Sequence, residues 1–303
     1  MLIVIPEDFL TLNDGSLQFL ACVENLMTAT YEGNHYVLFE KPLVARDIAT
    51  NCKISERSRA ALLNSAVSSR GHIALINLVK KYPRIVSFKG KKCNPSLQCS
   101  NSAEIDLTLF ENASNVLPCK LLCEDSQDGK IYVEYFNAIL KLENKAIPAD
   151  IKFNILHGGG SRTPQIYKEE FNLNSLVLCI VDNDSKEPDG KGNYWTKLQS
   201  VGECNYAKFR VVCGHEIENS IPISMLSDIC ISTDNTALYK IVLKSVESNL
   251  IFHLYLDFKK GIVKKELRKL PHAYRRDLVN FLINGCALDS SLFSCLKEKC
   301  ADS

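Results

Sequence analysis

Several features that would assign this chain to a protein class are missing. Its 13 cysteines include no C-x-x-C pair, so the paired short spacing typical of a zinc site is absent. No apolar run approaches the roughly twenty residues that span a bilayer. The formal net charge is only +1, so charge alone does not indicate a nucleic-acid-binding protein. We therefore expect reduced structural cysteines and a cytoplasmic protein without a membrane segment.

Two further signals are absent. The apolar N-terminus is short, is interrupted by Pro6 and Glu7, and has no basic region before it, so we do not expect it to be a secretory signal peptide. The phosphate-binding pattern G-x-x-x-x-G-K-[S/T] does not occur, so no ATPase of that class is expected in this chain. The chain does have 46% hydrophobic residues over 303 positions, enough for a packed core and about two domains.

Residues 1–100 are expected to form an N-terminal mixed α/β domain with a regulatory or partner-binding role. Apolar residues recur at helical spacing in 17–27 and 55–79, and 36–40 has the character of a strand. The polar stretch 90–103 is rich in Gly, Pro, Asn and Ser. It is the expected domain boundary.

Residues 101–260 have the pattern of a parallel sheet covered by helices, and 261–303 are expected to be helical. Buried strands are predicted at 118–123, 151–156, 175–181 and 208–213, alternating with helices at 126–142, 164–171 and 194–200. Apolar strands that alternate with amphipathic helices indicate a mostly parallel sheet with helices on both faces. Residues 237–258 are expected to form two further strands joined by a turn.

Acidic or glycine-rich residues follow each of the four predicted strands. In chain order they are Glu124, Asp128, Gly158, Gly159, Gly160, Asp182, Asp184, Glu216 and Glu218. Functional groups of parallel sheets collect at the carboxyl ends of strands. Converging carboxylates repel one another unless a cation lies among them, and oxygen ligands suit Mg²⁺ or Mn²⁺. Two such ions can cleave a phosphodiester, and the glycines would let a phosphate approach the backbone.

These motifs resemble the TOPRIM domain of topoisomerases, primases and OLD-family nucleases. The matching segments are C-E-D-S-Q-D at 123–128, the glycine-rich strand exit, and V-D-N-D-S at 181–185. The resemblance covers residues 118–260 and implies a Rossmann-like α/β fold. One departure is Asp125, which replaces the glycine that commonly follows the family's glutamate.

The resemblance also implies a role for each site residue. The metal ligands would be Glu124, Asp128, Asp182 and Asp184, with Glu216 or Glu218, and Lys259 or Lys260 would stabilise the reacting phosphate. Glu124, Asp182, Asp184 and Lys259 are the expected catalytic residues, with two Mg²⁺ or Mn²⁺ ions as cofactors. His157 and His215 flank the site and are expected to be structural.

The OLD-family type is the most similar form, and it implies a metal-dependent endonuclease that cuts DNA or RNA, including transfer RNA. OLD nucleases usually carry an ATPase domain. Since this sequence lacks the phosphate-binding pattern of such a domain, we expect a separate ATPase partner that restrains it, as in bacterial anti-phage defence systems. The sequence leaves open the substrate and whether the chain forms a homodimer.

Other functions share parts of this pattern. An Asp-x-Asp motif also occurs in haloacid-dehalogenase-type phosphatases, although on the first strand of that fold. A calcium loop could use Asp182, Asp184 and Asp189, but the spacing does not fit an EF-hand. A non-catalytic TOPRIM-like protein that binds or recruits nucleic acid is the third alternative.

Overall fold

The computed structural model of this chain is an α/β structure with parallel sheets, which confirms the predicted fold class at that level. It describes residues 1–78, 83–93, 103–143, 152–185, 190–216, 219, 236–248, 276–278 and 281. The chain divides into two compact units. The first comprises Met1–Ile180 and Val201–Phe209, and the second comprises Val181–Ser200 and Arg210–Ser303. The predicted boundary at residues 90–103 falls inside the first unit.

The N-terminal residues form the first sheet. Its strands are β1 (Leu2–Ile5), β2 (Tyr36–Phe39), β3 (Pro83–Phe88), β4 (Lys91–Lys92) and β5 (Ala103–Asp106). β1 pairs in parallel with β2 and β3, β5 runs parallel to β3, and β4 pairs antiparallel with β3. Helix α1 (Leu17–Tyr31) connects β1 to β2, and α2 (Pro42–Asn51) and α3 (Glu56–Leu78) lie between β2 and β3.

Helix α1 forms where the sequence supplies both a start signal and an apolar face. Ser16 precedes the helix, and its side chain accepts a hydrogen bond from the N–H of Phe19 at 3.1 Å, which satisfies a backbone donor at the helix start. Phe19, Cys22, Val23 and Leu26 recur at helical spacing and are buried in the core. Their burial is the main stabilisation of this helix.

The second sheet carries the strands on which the predicted site depends. Its strands are β6 (Lys120–Cys123), β7 (Asn154–His157), β8 (Val177–Val181) and β9 (Ala207–Val211), in the order β7-β6-β8-β9. β6 is parallel to both β7 and β8. The helices that alternate with them are α4 (Ser126–Glu143), α5 (Thr163–Asn172) and α6 (Asn193–Val201). The predicted alternation of strands and helices is confirmed.

Backbone hydrogen bonds give the direction of β9. The N–H of Val177 donates to the carbonyl of Tyr206, and the N–H of Val212 donates to the carbonyl of Val181, each at 3.0 Å. The start of β9 therefore lies beside the start of β8, and its end lies beside the end of β8. All four strands run in one direction, so their carboxyl ends lie at one edge of the sheet, where parallel sheets bind ligands.

The prediction for residues 237–258 was wrong in its first half. Thr236–Glu247 forms a helix, α7, in place of a strand. Ile241, Val242 and Ser245 are buried, which is the spacing of one face of a helix and not the alternation of a strand. The second predicted strand, at 251–258, lies outside the described residues. Among the helices that the structure describes, none is long and apolar enough to cross a membrane.

Candidate metal centre

Two loops that follow neighbouring strands bring together three side chains that could hold a metal ion. Asp184 follows β8, and His215 and Glu216 follow β9. One potential ligand atom from each side chain lies within 4.8 Å of the other two. His215 is buried, Glu216 is half-buried and Asp184 is exposed, so the group combines a packed side with an open one. All three residues belong to the second unit.

The spacing of these three ligand atoms fits a single divalent ion. Nitrogen and oxygen ligands lie about 2.1 Å from most such ions, which puts opposite ligands about 4.2 Å apart. Separations within 4.8 Å therefore need only small side-chain adjustments to enclose one ion. Two carboxylates and one imidazole also supply two negative charges, which would balance a divalent cation. We call Asp184, His215 and Glu216 the metal cluster.

Backbone hydrogen bonds hold the two loops side by side. The N–H of Asp184 donates to the carbonyl of His215 at 3.0 Å. Asp184 has a φ of 53°, in the left-handed region that Asp tolerates better than most residues because its short side chain can hydrogen-bond locally. The chain turns at this residue, where the extended segment of β8 gives way to a loop. The relative position of two cluster residues is thus set by main-chain geometry.

The imidazole of His215 is oriented by a backbone carbonyl. Its Nδ1 lies 3.1 Å from the carbonyl oxygen of Ser185, and the side chain is buried. Because a carbonyl oxygen only accepts hydrogen bonds, Nδ1 is the donor in this contact, and Nε2 is the other potential ligand atom of the ring. Metal-binding histidines are commonly held in this way, with one ring nitrogen donating to a carbonyl and the other facing the ion.

Asn219 fixes the backbone at Glu216. The side-chain oxygen of Asn219 accepts a hydrogen bond from the N–H of Glu216 at 2.8 Å, and the N–H of Asn219 donates to the carbonyl of Glu216 at 3.1 Å. Asn219 itself is buried, with 4% of its surface exposed. This reciprocal pair of bonds limits the conformations of the chain on which the Glu216 carboxylate is carried.

Gly192 packs against the loop that carries Asp184. Its N–H donates to the side-chain oxygen of Asn183 at 3.2 Å. A Cβ atom at position 192 would lie 1.5 Å from the backbone oxygen of Asn183, so only glycine fits here. Gly192 is therefore a positioning residue for the loop next to the metal cluster.

Glu124 and Asp128 are in the first unit. Glu124 directly follows β6, and Asp128 is in the first turn of α4, where the helix dipole favours an acidic residue. Between them, the side chain of Asp125 accepts a hydrogen bond from the N–H of Gln127 at 2.7 Å. Asp125 therefore caps α4, which gives a structural reason for an acidic residue where the TOPRIM family commonly has glycine.

The glycine-rich loop after β7 packs against the end of β6. The N–H of Gly158 donates to the carbonyl of Cys123 at 2.7 Å, and those of the next two glycines donate to the carbonyl of Glu124 at 3.1 and 3.5 Å. A Cβ at Gly158 would lie 2.2 Å from the Oγ1 of Thr163. Gly158–Gly160 thus position the backbone of Glu124. Their phosphate-binding role stays a prediction, since a phosphate would compete with these bonds.

The remaining predicted residues divide into two groups. Asp182 directly follows β8 and is half-buried. Glu218, Lys259, Lys260 and Asp189 lie outside the described residues. His215 was expected to be structural, yet its ring is one of the three groups in the metal cluster. The signal available in the sequence was its position beside Glu216 at a strand exit, whereas His157 is exposed at the end of β7.

The chain was compared with known families, proteins and structures. No protein-family model, curated protein or solved structure matches it. The TOPRIM resemblance therefore rests on the motif residues alone, and the function has to be argued from the side chains of the site.

Proposed function

We propose that this protein is a metal-dependent nuclease that hydrolyses phosphodiester bonds of DNA or RNA. The observation that supports it best is the metal cluster, in which Asp184, His215 and Glu216 bring three ligand atoms within 4.8 Å at the ends of two neighbouring strands. A divalent ion held at the open edge of a parallel sheet could contact a large substrate from solvent. Phosphate oxygens are common additional ligands of such ions.

The donor set favours Mn²⁺ over Mg²⁺. Mg²⁺ binds mainly oxygen ligands, whereas an imidazole is a common ligand of transition-metal ions. Two carboxylates and one histidine combine both preferences. When bound, the ion would supply Lewis acidity and a water of lowered pKa. The chain's own contribution is the placement of Asp184, His215 and Glu216 by Gly192, Ser185 and Asn219.

The finer parts of the proposal rest on the sequence. The TOPRIM resemblance assigns Glu124, Asp128 and Asp182 to the metal shell and a late lysine, Lys259, to the reacting phosphate. It also assigns a separate ATPase partner that restrains the nuclease in an anti-phage defence system. Hydrogen bonds to the carbonyl of Glu124 hold the main chain from which that side chain extends.

Cleavage assays with matched histidine variants test this function. Purified protein is incubated with single-stranded RNA, transfer RNA and double-stranded DNA in MnCl₂ or MgCl₂, with and without a candidate ATPase partner. We expect cleavage that requires the metal and is faster with Mn²⁺. The cleavage rates of His215→Ala and Glu124→Ala should be at least a hundredfold lower than that of wild type. His157 is an exposed histidine at the end of β7, and His157→Ala should cleave at the wild-type rate.

Two outcomes would reject the proposal. One is the absence of cleavage of every nucleic acid with either metal and the partner present. The other is hydrolysis of a phosphate monoester, such as p-nitrophenyl phosphate, without cleavage of nucleic acid, which would favour a phosphatase. Retained cleavage in Glu124→Ala would remove that residue from the site while leaving the metal cluster in place.

A further inference from the structure

A cavity in the first unit lies at the carboxyl ends of β3 and β5. It has a volume of about 700 Å³ and is lined by residues of these strands, of the short helix Leu107–Glu111 that follows β5, and of the turns at 173–174 and 204–206. A cavity of this size accommodates a drug-sized molecule. The carboxyl ends of parallel strands are also where such sheets bind ligands. None of the metal cluster residues lines it.

The charges around the cavity exclude an anionic ligand. Glu104, Asp106 and Glu111 contribute three negative charges, and Lys92 is the only cation among the described residues that line it, so the balance is −3 + 1 = −2. The Nζ of Lys92 lies 4.0 Å from the Glu104 carboxylate, which leaves it poorly placed to hold a phosphate. A phosphorylated ligand would be repelled.

Asp106 keeps its negative charge at neutral pH. Its carboxylate accepts hydrogen bonds from the hydroxyl of Ser87 at 2.6 Å and from the N–H and hydroxyl of Thr108 at 2.9 and 2.7 Å. Burial raises the pKa of Asp106, but these hydrogen bonds outweigh that effect and lower the pKa below its ordinary value. The wall of the cavity thus carries a fixed, oriented anion.

The rest of the lining combines apolar and neutral polar groups. Val86, Ile105 and Leu109 are almost fully buried in the hydrophobic core. Leu173, with 60% of its surface exposed, gives the wall an apolar side chain that a ligand can contact. Tyr206 and Asn174 also line the cavity, and the hydroxyl of Tyr206 donates to the side-chain oxygen of Asn174 at 2.6 Å. A ligand that fits both features has an apolar stem and at least one positively charged end.

We propose that this cavity binds a small organic cation, an aliphatic amine with an apolar stem, at a site separate from the metal cluster. The carboxylates of Glu104 and Glu111 bind the ammonium groups, and the apolar wall contacts the methylene chain. The inference does not depend on nuclease activity.

Calorimetric titration of the full chain with spermidine tests the site, with 1,8-octanediol as an uncharged probe of similar length. Wild type should bind one spermidine per chain saturably and should not bind the diol. The double variant Glu104→Gln, Glu111→Gln should bind about five- to tenfold more weakly, as expected for two partly exposed charge pairs. Leu173→Arg places a cation at an exposed position on the rim and should abolish binding.

A matched control removes carboxylates elsewhere. The double variant Glu134→Gln, Glu169→Gln changes two exposed residues on α4 and α5 and should bind spermidine as wild type does. Circular dichroism establishes that each variant is folded. Absence of saturable spermidine binding, equal binding of the diol, or an equal loss in the control and cavity variants would overturn the proposal.

Discussion

At the residue scale, the metal cluster depends on small residues and amides as much as on its ligands. Contacts that involve main-chain atoms position the ligands, and they are made by Gly192, Ser185 and Asn219. Such supporting residues typically change metal affinity by about 10- to 100-fold when they are altered. Substitutions of these residues can be distinguished from substitutions of the ligands, because they move a ligand without removing its donor atom.

Gly192→Ala should weaken Mn²⁺ binding by at least tenfold. The added methyl group would overlap the backbone oxygen of Asn183, 1.5 Å away, so the loop that carries Asp184 has to move. Overlap of this kind typically costs about 1–3 kcal/mol of stability. Isothermal titration with MnCl₂ measures the affinity, and urea denaturation measures the free energy of unfolding.

The matched control for that variant is Gly90→Ala in the first unit. Gly90 has a φ of 78°, and a Cβ there would meet no atom within 4 Å, so the substitution costs about 1–2 kcal/mol of backbone strain without displacing a neighbour. It should lower stability and leave Mn²⁺ affinity unchanged. Equal losses of affinity in both variants would show that Gly192 acts only through general stability.

His35 should make stability depend on pH. Burial lowers its pKa to about 4, helped by the positive charge of the Met1 amino group. In the unfolded chain the pKa is the ordinary 6.5, so the unfolded state binds a proton first as the pH falls. The stabilisation present at pH 7.5 is therefore lost below pH 6.5, by about 2 kcal/mol at pH 5.

The measurement is the free energy of unfolding of wild type and His35→Gln at pH 7.5, 6 and 5. The difference between the two proteins isolates His35 from other groups that titrate in this range. As the pH falls, the free energy of unfolding of wild type should decrease relative to that of His35→Gln. A difference that stays constant from pH 7.5 to 5 would contradict this prediction, because it would mean that His35 takes up a proton as readily in the folded state as in the unfolded chain.

At the element scale, the loop after β7 packs against the end of β6, the neighbouring strand of the second sheet. Gly158→Ala should lower the free energy of unfolding by about 2–3 kcal/mol, because its Cβ would lie 2.2 Å from Thr163 Oγ1 and 2.7 Å from the carbonyl of Cys123. Gly159→Ala adds only left-handed strain, about 1–2 kcal/mol, since its Cβ would meet no atom within 4 Å. Urea denaturation compares them, and a larger loss in Gly159→Ala would contradict this packing.

Much of the second sheet could be predicted from the sequence, because its strands are continuous apolar runs bounded by polar turns. The run at 175–181 and the strand Val177–Val181 agree closely. β1 was missed because four apolar residues carry no periodic signal. α7 was predicted as a strand, although the burial of Ile241, Val242 and Ser245 follows helical spacing.

The candidate site was predictable only in part. Asp184 and Glu216 were found because acids at strand exits have a chemical meaning in parallel sheets. His215 joins the metal cluster because it contacts the Ser185 carbonyl and the N–H of Asp184. These contacts link segments that are far apart in sequence. No pattern within one segment encodes them.

At the scale of the whole molecule, the first unit joins the two sheets through a common core. Leu176, which precedes β8, packs in the core formed by the N-terminal strands and helices. Asn115 is also buried, and it bonds to residues before both β6 and β8. Its side chain donates to the carbonyls of Leu109 and Asn174 at 2.8 and 3.0 Å and accepts from the N–H of Leu176 at 3.0 Å. The N-terminal residues are therefore not an independent appendage.

Asn115→Ala should lower the free energy of unfolding by about 3 kcal/mol, since it leaves buried backbone groups without their partners. Asn172→Ala, at the exposed end of α5, is the control and should change it by less than about 0.5 kcal/mol. Hydrogen exchange followed by mass spectrometry should show faster exchange in both sheets of the Asn115 variant. Exchange that accelerates in only one sheet would contradict a common core.

The most direct test of the metal centre is the anomalous difference density of crystals soaked in MnCl₂, recorded for wild type and for His215→Ala. We predict a wild-type peak within about 2.3 Å of ligand atoms from Asp184, His215 and Glu216, and a weak or absent peak in the variant. Manganese bound elsewhere with no peak at these three residues would contradict the account.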